Sequence, residues 1–396
     1  MRTTVILAAV LLLLAAVVPT LGIDPFADTK SKQEAVAAFA DVEQSLVKKD
    51  AKGLRGLYES WKKTYGIVYP KAEDAQRYAN FVATVRGIIA NNKDTRTTHW
   101  SGLNAYSALS DKEFRARFTT SLKRHDTPVK ASRPARRSLL QTLPAYKNWV
   151  AEGKVTSVKN QGGCGSCWAF AGVAATESRV LIALGKTNAT YSLDGAEQQV
   201  VDCARAPSFP YSFGCGGGQI EDPFRFAAKG FLAPESLYAY TGKTGTCKSV
   251  NSTAARVVLS GTGFKELDIN SATLFKQALQ TSPFTIAFYA SDPTFKSYKG
   301  GVYNPTKCGN PWLVDHAVLL VGYNNTESSW YIKNSWGATW GEKGYFRMFM
   351  KPDGTQGTCQ MYTVSPAGLH LLGSCLLLYL KHGTPPAACG FPAACE

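Results

Sequence analysis

The sequence predicts an α+β protein in which a helical half is followed by a β-rich half, the two preceded by a separate helical segment. Three observations predict it. Residues 31–92 carry helical periodicity; a polar, basic stretch then interrupts the chain; and an alanine-rich apolar run gives way to strand-like runs beyond about residue 255. Of the 396 residues 45% are hydrophobic and 18% charged, ample for more than one packed core and against extensive disorder.

Each element has its own signal. Arg2 precedes the apolar run Val5 to Val18, and Thr20-Leu21-Gly22 supplies small residues suited to signal peptidase. A membrane span takes roughly 20 apolar residues, so residues 1–22 are expected to be a signal peptide into the secretory pathway. Leu54, Leu57, Tyr58, Trp61 and Tyr65 fall on one stripe of an amphipathic helix, and a second helix is expected over 72–92. Ser121 to Gln141 carries Lys123, Arg124, Lys130, Arg133, Arg136 and Arg137 among two prolines, an exposed linker of the kind proteases cut. From Leu143 glycines, aromatics and cysteines become dense. Trp168 to Leu184 reads as a buried helix stopped by Gly185. Phe284 to Tyr289, Ala317 to Tyr323, Trp330 to Lys333 and Tyr345 to Met350 read as strands. A cleft between two such halves is a common place for an active site.

The formal net charge is +15. About two-thirds of that excess lies before residue 143. There is no arginine-rich recognition helix, zinc finger or aromatic-basic stacking segment, which argues against nucleic acid as a partner. In an oxidising compartment the ten cysteines read mostly as disulfides, and the sequons at Asn188, Asn251 and Asn324 suit the same route.

The strongest local signal is Gln161-Gly162-Gly163-Cys164-Gly165-Ser166-Cys167-Trp168. A nucleophilic cysteine acts as the thiolate, and a helix N-terminus beside an imidazolium lowers a thiol's pKa. Cys167 stands where the long helix begins. The chain has five histidines; His99 and His125 precede the expected cleavage region and His370 and His382 lie in the tail, so His316 is the base by elimination. Asn334, in Lys333-Asn334-Ser335-Trp336-Gly337, is suited to fix the ring of that base, with Trp336 shielding the bond from water. The Gln161 amide and the Cys167 backbone N–H are spaced to serve a developing oxyanion. Cys164 and Cys167 also form a CxxC, the spacing of redox and zinc sites. No second CxxC exists and the body holds a single histidine, so no metal is expected.

These residues resemble the cysteine signature of papain-like peptidases, and Asp315-His316-Ala317 and Asn334-Ser335-Trp336-Gly337-Ala338-Thr339-Trp340-Gly341 resemble the family's histidine and asparagine blocks. Upstream, Glu73, Arg77, Phe81, Ile88 and Asn92 resemble the interrupted helical motif of its inhibitory pro-segment, with Thr84 where asparagine is usual. Gly102, Asn104 and Tyr106 resemble a second short motif, in which Ala108 replaces the usual aspartate. The resemblance is to the cathepsin L-like branch and implies a papain-like two-domain fold, a helical domain and a β-barrel-like domain with the site in the cleft.

It further implies a zymogen: residues 1–22 signal peptide, 23–142 inhibitory pro-segment with basic linker, 143–365 peptidase domain, and 366–396 a C-terminal extension without an assigned role. Implied disulfides are Cys164–Cys215, Cys203–Cys247 and Cys308–Cys359, leaving Cys375, Cys389 and Cys395. Implied substrate contacts are Gly217 and Gly218 for the backbone, Trp340, and an apolar pocket of Ile220, Ala287, Ala317 and Val364 for the second residue before the scissile bond. The expected activity is peptide hydrolysis through a thioester without a cofactor. Expected partners are protein and peptide substrates, the chain's own pro-segment and cystatin-like inhibitors. The expected state is a monomer without a membrane span, in a lysosome or vacuole or outside the cell. The rival readings are a catalytically silent binding or storage relative, a protease inhibitor acting through residues 40–115, and a peptide ligase using the same thioester. The first two are disfavoured because nucleophile, base and glutamine are all present.

Overall fold

The computed structural model describes residues 24–27, 31–48, 50–120, 142–229, 232–250, 256–259, 265–266, 271–309, 314–363, 367–368 and 376–379. The expected signal peptide, the basic linker, Asn251, Val364, Cys375, Cys389 and Cys395 lie outside them.

Helices α1 (Lys32–Ala38), α2 (Ala40–Val47), α3 (Ala51–Tyr65) and α4 (Lys71–Lys93) form the N-terminal segment. Ser31 and Glu34 close a capping box on α1, Asp50 caps α3, and Gly66 ends α3 in the left-handed region at φ 63°. The apolar stripe of α3 meets Phe81, Val85 and Ile88 of α4 in a small core with Trp61 and Tyr58 fully buried. Two-residue strand β1 (Trp100–Ser101) and helix α5 (Asp111–Phe118), boxed by Ser110 and Glu113, complete the segment. Arg77 of α4 ties Glu73 to Glu113, bracing α4 against α5.

The body begins with β2 (Tyr146–Asn148) and α6 (Cys167–Ala183). Helix α6 is buried along most of its length, which explains its alanine-rich composition with Glu177 and Arg179 as its only charged residues. Helices α7 (Glu197–Cys203) and α8 (Asp222–Lys229) pack beside it. Then come β3 (Arg256–Leu259), β4 (Lys265–Glu266), α9 (Ala272–Leu279), β5 (Phe284–Phe288), α10 (Pro293–Lys296), β6 (Tyr298–Gly300), β7 (Val302–Tyr303), β8 (His316–Asn324), β9 (Ser329–Lys333), β10 (Tyr345–Phe349), β11 (Ala367–Gly368) and β12 (Leu376–Tyr379). The main sheet runs β4-β11-β5-β8-β9-β10-β7, with β2 also on β8. Its central strands are buried on both faces, between α6 on one side and a cluster of aromatic rings on the other. Two strands lie beyond residue 365: β11 pairs with β4 and β5, and β12 with β3. Among the described residues no helix is long and apolar enough to cross a membrane.

The N-terminal segment docks on the body through β1, which pairs antiparallel with β6 and sets Trp100 opposite Gly300. A Cβ on Gly300 would lie 2.7 Å from the indole, so a side chain there would push the strands apart. Lys296, buried at the end of α10, donates to Asp111 (2.8 Å) and to the Leu109 carbonyl (3.0 Å) across the same junction.

Candidate active site

Cys167 is the first residue of α6, buried and unpaired. The loop before it is clamped from two sides. Cys164 is bonded to Cys215, and the Gly165 N–H donates to the Cys215 carbonyl at 3.0 Å. A Cβ on Gly165 would stand 2.5 Å from that carbonyl, so only glycine allows the approach. Gln161 is held by Ser335: its backbone N–H donates to the Ser335 carbonyl (2.8 Å), and its Oε1 accepts from the Ser335 hydroxyl (2.7 Å). The amide is thereby oriented, and its Nε2 donates to the Cys164 carbonyl (2.9 Å).

His316 opens β8, and Asn334 follows the end of β9. Asn334 Oδ1 accepts the Ser335 backbone N–H at 2.8 Å, which identifies it as the amide oxygen, so His316 Nε2 donates to it at 2.8 Å. That tautomer leaves Nδ1 with its lone pair, and Nδ1 has no hydrogen-bond partner among the described residues. Trp336 stacks on the imidazole, ring centroids 4.6 Å apart and 29° between planes, and is buried.

The expected Cys164–Cys215, Cys203–Cys247 and Cys308–Cys359 disulfides are all formed. Residues 143–367 match the papain family cysteine protease domain, and residues 58–114 match the cathepsin propeptide inhibitor domain. The chain belongs to the papain family of cysteine proteases. It is 34% identical over 316 residues to a senescence-specific cysteine protease of Oryza sativa subsp. indica, covering 78% of this chain and 88% of the relative. To chymopapain of Carica papaya it is 32% identical, covering 78% of this chain and 85% of the relative. Among solved structures a recombinant stem bromelain precursor matches at 32% identity and TM-score 0.69, covering 81% of this chain and 99% of that one. The chain is a cysteine endopeptidase, and its propeptide makes it a zymogen.

In this protease the propeptide lies over the site. Gln161 Nε2 also reaches the Phe118 carbonyl (3.5 Å), Thr120 N–H donates to the Asp315 carbonyl (2.7 Å), and the Thr120 hydroxyl donates to the Gly216 carbonyl (2.9 Å). Phe114 meets Trp336 edge-on at 5.0 Å, and the Tyr106 hydroxyl donates to the Trp336 carbonyl (2.8 Å). The cover reverses the electrostatics expected of a helix-terminal thiol. Burial pushes the Cys167 thiol up to about 12, against a weaker opposing effect of backbone donors. Burial likewise pushes His316 down to about 4, the Asn334 hydrogen bond opposing it. In this propeptide-covered structure desolvation is the largest effect on both groups and favours their neutral forms near neutral pH.

The expected substrate contacts divide. Ala287 and Ala317 sit directly opposite each other in the β5–β8 register, and both are buried, as is Ile220. Gly217, at φ 107°, lies against Thr120 in the cleft, whereas Gly218 lies against the Trp168 ring. Trp340 is fully buried, donating to the Lys296 carbonyl at 3.2 Å. Several side chains that support the candidate site escaped the sequence reading. Ser335 joins Gln161 to Asn334, and Tyr240 braces the cysteine loop; serine and tyrosine are too common to stand out without geometry. Beneath the site Lys159 is paired with Glu177, Asp194 and Glu197, and Lys333 donates to Thr156 (3.1 Å). Four separated stretches of sequence meet there, and nothing local signals it.

Proposed function

We propose that Cys167 is the nucleophile of this protease, His316 its general base, Asn334 the residue that orients the base, and the Gln161 amide with the Cys167 backbone N–H the oxyanion donors. The reading rests on one observation: Gln161, Ser335, Asn334 and His316 form an unbroken chain of hydrogen bonds beside the free thiol. Once the propeptide leaves, water returns to the cleft, and the helix N-terminus and the imidazolium favour the thiolate. The thiolate attacks the scissile carbonyl, the imidazolium protonates the departing amine, and water hydrolyses the thioester. The precursor is read as entering the secretory pathway and working in a lysosome, vacuole or outside the cell, cut free between Ser121 and Leu143.

For the second residue before the scissile bond, the pocket of Ile220, Ala287, Ala317 and Val364 favours Leu, Phe, Val or Tyr. The facing alanines support this, since two methyl groups leave depth and no charge. Burying such a side chain is worth roughly 1.5–3 kcal/mol, about ten- to a hundredfold in rate. Two measurements test the reading. Cys167→Ala in the mature enzyme should abolish hydrolysis of a fluorogenic peptide. A substrate series varied at the second position should run faster with Phe than with Arg; equal rates would remove the apolar pocket.

A further inference from the structure

We infer that Tyr240 is a positioning residue for the oxyanion donors, its hydroxyl pinning both ends of the loop that carries them. The inference rests on the donor assignment proposed above. Tyr240 lies in none of the three blocks, around Cys167, His316 and Asn334. Its O–H donates to the backbone carbonyl of Gln161 at 2.7 Å, and the same oxygen is 2.7 Å from the Ser166 hydroxyl. A carbonyl only accepts, so the phenol proton goes to Gln161 and Ser166 donates to the phenol. Gln161 bears one donor, and Ser166 immediately precedes the other. One oxygen thus bridges the two residues that set the spacing between the donors.

Tyr240 is itself held: its N–H donates to Glu235 (2.6 Å) and its ring meets Phe170 edge-on at 5.0 Å. Burial pushes its hydroxyl up to about 12, so it remains a donor throughout the working pH range. Oxyanion donors act through preorganisation, and a loop free to drift loses transition-state binding with little effect on substrate binding.

The test is steady-state kinetics of mature Tyr240→Phe on a benzyloxycarbonyl-Phe-Arg coumarinamide, in parallel with Gln161→Ala and the double variant. Tyr240→Phe should lower kcat by about five- to twentyfold, leave KM within about twofold, and leave both limbs of the pH profile in place. In the Gln161→Ala background the same change should have little further effect. Unchanged kcat, or an equal drop in both backgrounds, overturns the inference. A Gln161→Ala enzyme with wild-type kcat instead overturns the donor assignment beneath it. Ser166→Ala, which removes the second hydrogen bond but no ring, should lower kcat in the same direction.

A second observation concerns the propeptide, and we infer from it that His99 is an acid-sensitive element of the docked junction. Its side chain is wholly buried beside β1, and neither ring nitrogen has a hydrogen-bond partner among the described residues. Tyr303 of the body lies 4.6 Å from the ring and Tyr298 6.4 Å. From α1, Lys32 adds positive charge, its ammonium held by the Asp94 and Thr97 carbonyls; Asp94 itself is engaged by Arg96. On the body side Glu342 is taken by Arg347 and by the Gly301 N–H, the residue against which His99 rests. Among these described residues, no free carboxylate is supplied to a protonated ring.

Burial, with Lys32 adding to it and Asp94 opposing, pushes His99 down to about 3. A histidine released into water titrates near 6.5, so docking is fully favourable above that pH and weakens as pH falls through the interval down to about 3. At pH 4.5 the propeptide is held up to about a hundredfold less tightly than at pH 7.5. His99→Phe and His99→Leu keep an apolar filling and remove the proton site. Self-processing of the purified precursors across pH 3.5–7.5, read by fluorogenic hydrolysis, should have its midpoint about one unit lower in both. Superimposable profiles overturn the inference. So does loss of latency at pH 7.5 in both variants, since the imidazole would then be holding the junction together.

Discussion

Asn334 performs two tasks with one oxygen, accepting from the His316 ring and from the Ser335 backbone. Removing it leaves Trp336 stacked on the imidazole, so the ring loses its tautomeric preference before it loses its place. Asn334→Ala should therefore lower kcat/KM by about ten- to a hundredfold without abolishing activity, whereas His316→Ala should leave almost none. Hydrolysis of a fluorogenic peptide by the mature variants decides it; an Asn334→Ala loss as deep as that of His316→Ala would show that the amide does more than orient. The side chains of the site were legible in the sequence to the degree that their chemistry is rare. One histidine in the body and a cysteine within Gly-Ser-Cys-Trp narrow the choice at once. Ser335 and Tyr240 take their meaning from distances that no spacing along the chain reveals. The raised thiol of the precursor was not legible for a related reason: a helix N-terminus is visible in sequence, but the chain segment packed over it lies some fifty residues away along the chain, and desolvation is the larger effect there.

Among the elements, those long enough to show a period matched the structure. Helices α4 and α6 and strands β5, β8, β9 and β10 fall within a residue or two of expectation, and the whole expected stripe Leu54 to Tyr65 lies within α3. Strands β1, β6 and β7 are two or three residues each, too short for alternation to register, and their pairing depends on partners about two hundred residues apart or on a parallel ladder. The helical half also relies on a covalent tie. The Cys203–Cys247 bond joins the end of α7 to a loop otherwise held by Asp202, which accepts from Gly245 (2.6 Å) and Tyr238 (2.9 Å). Replacing both cysteines by alanine frees a chain segment of 44 residues. The expected loss is about 3–4 kcal/mol, read as a lower Tm of the precursor. An unchanged Tm would mean that the Asp202 hydrogen bonds suffice alone.

The whole molecule is a protease assembled in its silenced form, and the silence is chemical as well as steric. A thiol raised to about 12 is almost entirely protonated at neutral pH. Iodoacetamide at pH 7 should therefore label Cys167 readily in the mature enzyme and barely at all in the uncut precursor, as measured by intact mass; equal rates would mean that the cover is open in solution. The stacking of Trp336 has a consequence of a different kind. One face of its indole lies on the His316 imidazole, Phe114 stands against it from the propeptide, and its Nε1 has no hydrogen-bond partner among the described residues. Departure of the propeptide takes this one chromophore from an apolar to an aqueous setting and places it against a ring that then acquires charge. Its emission should shift to the red and dim in the same step, so that unmasking of the cleft can be followed optically, in real time and without a substrate.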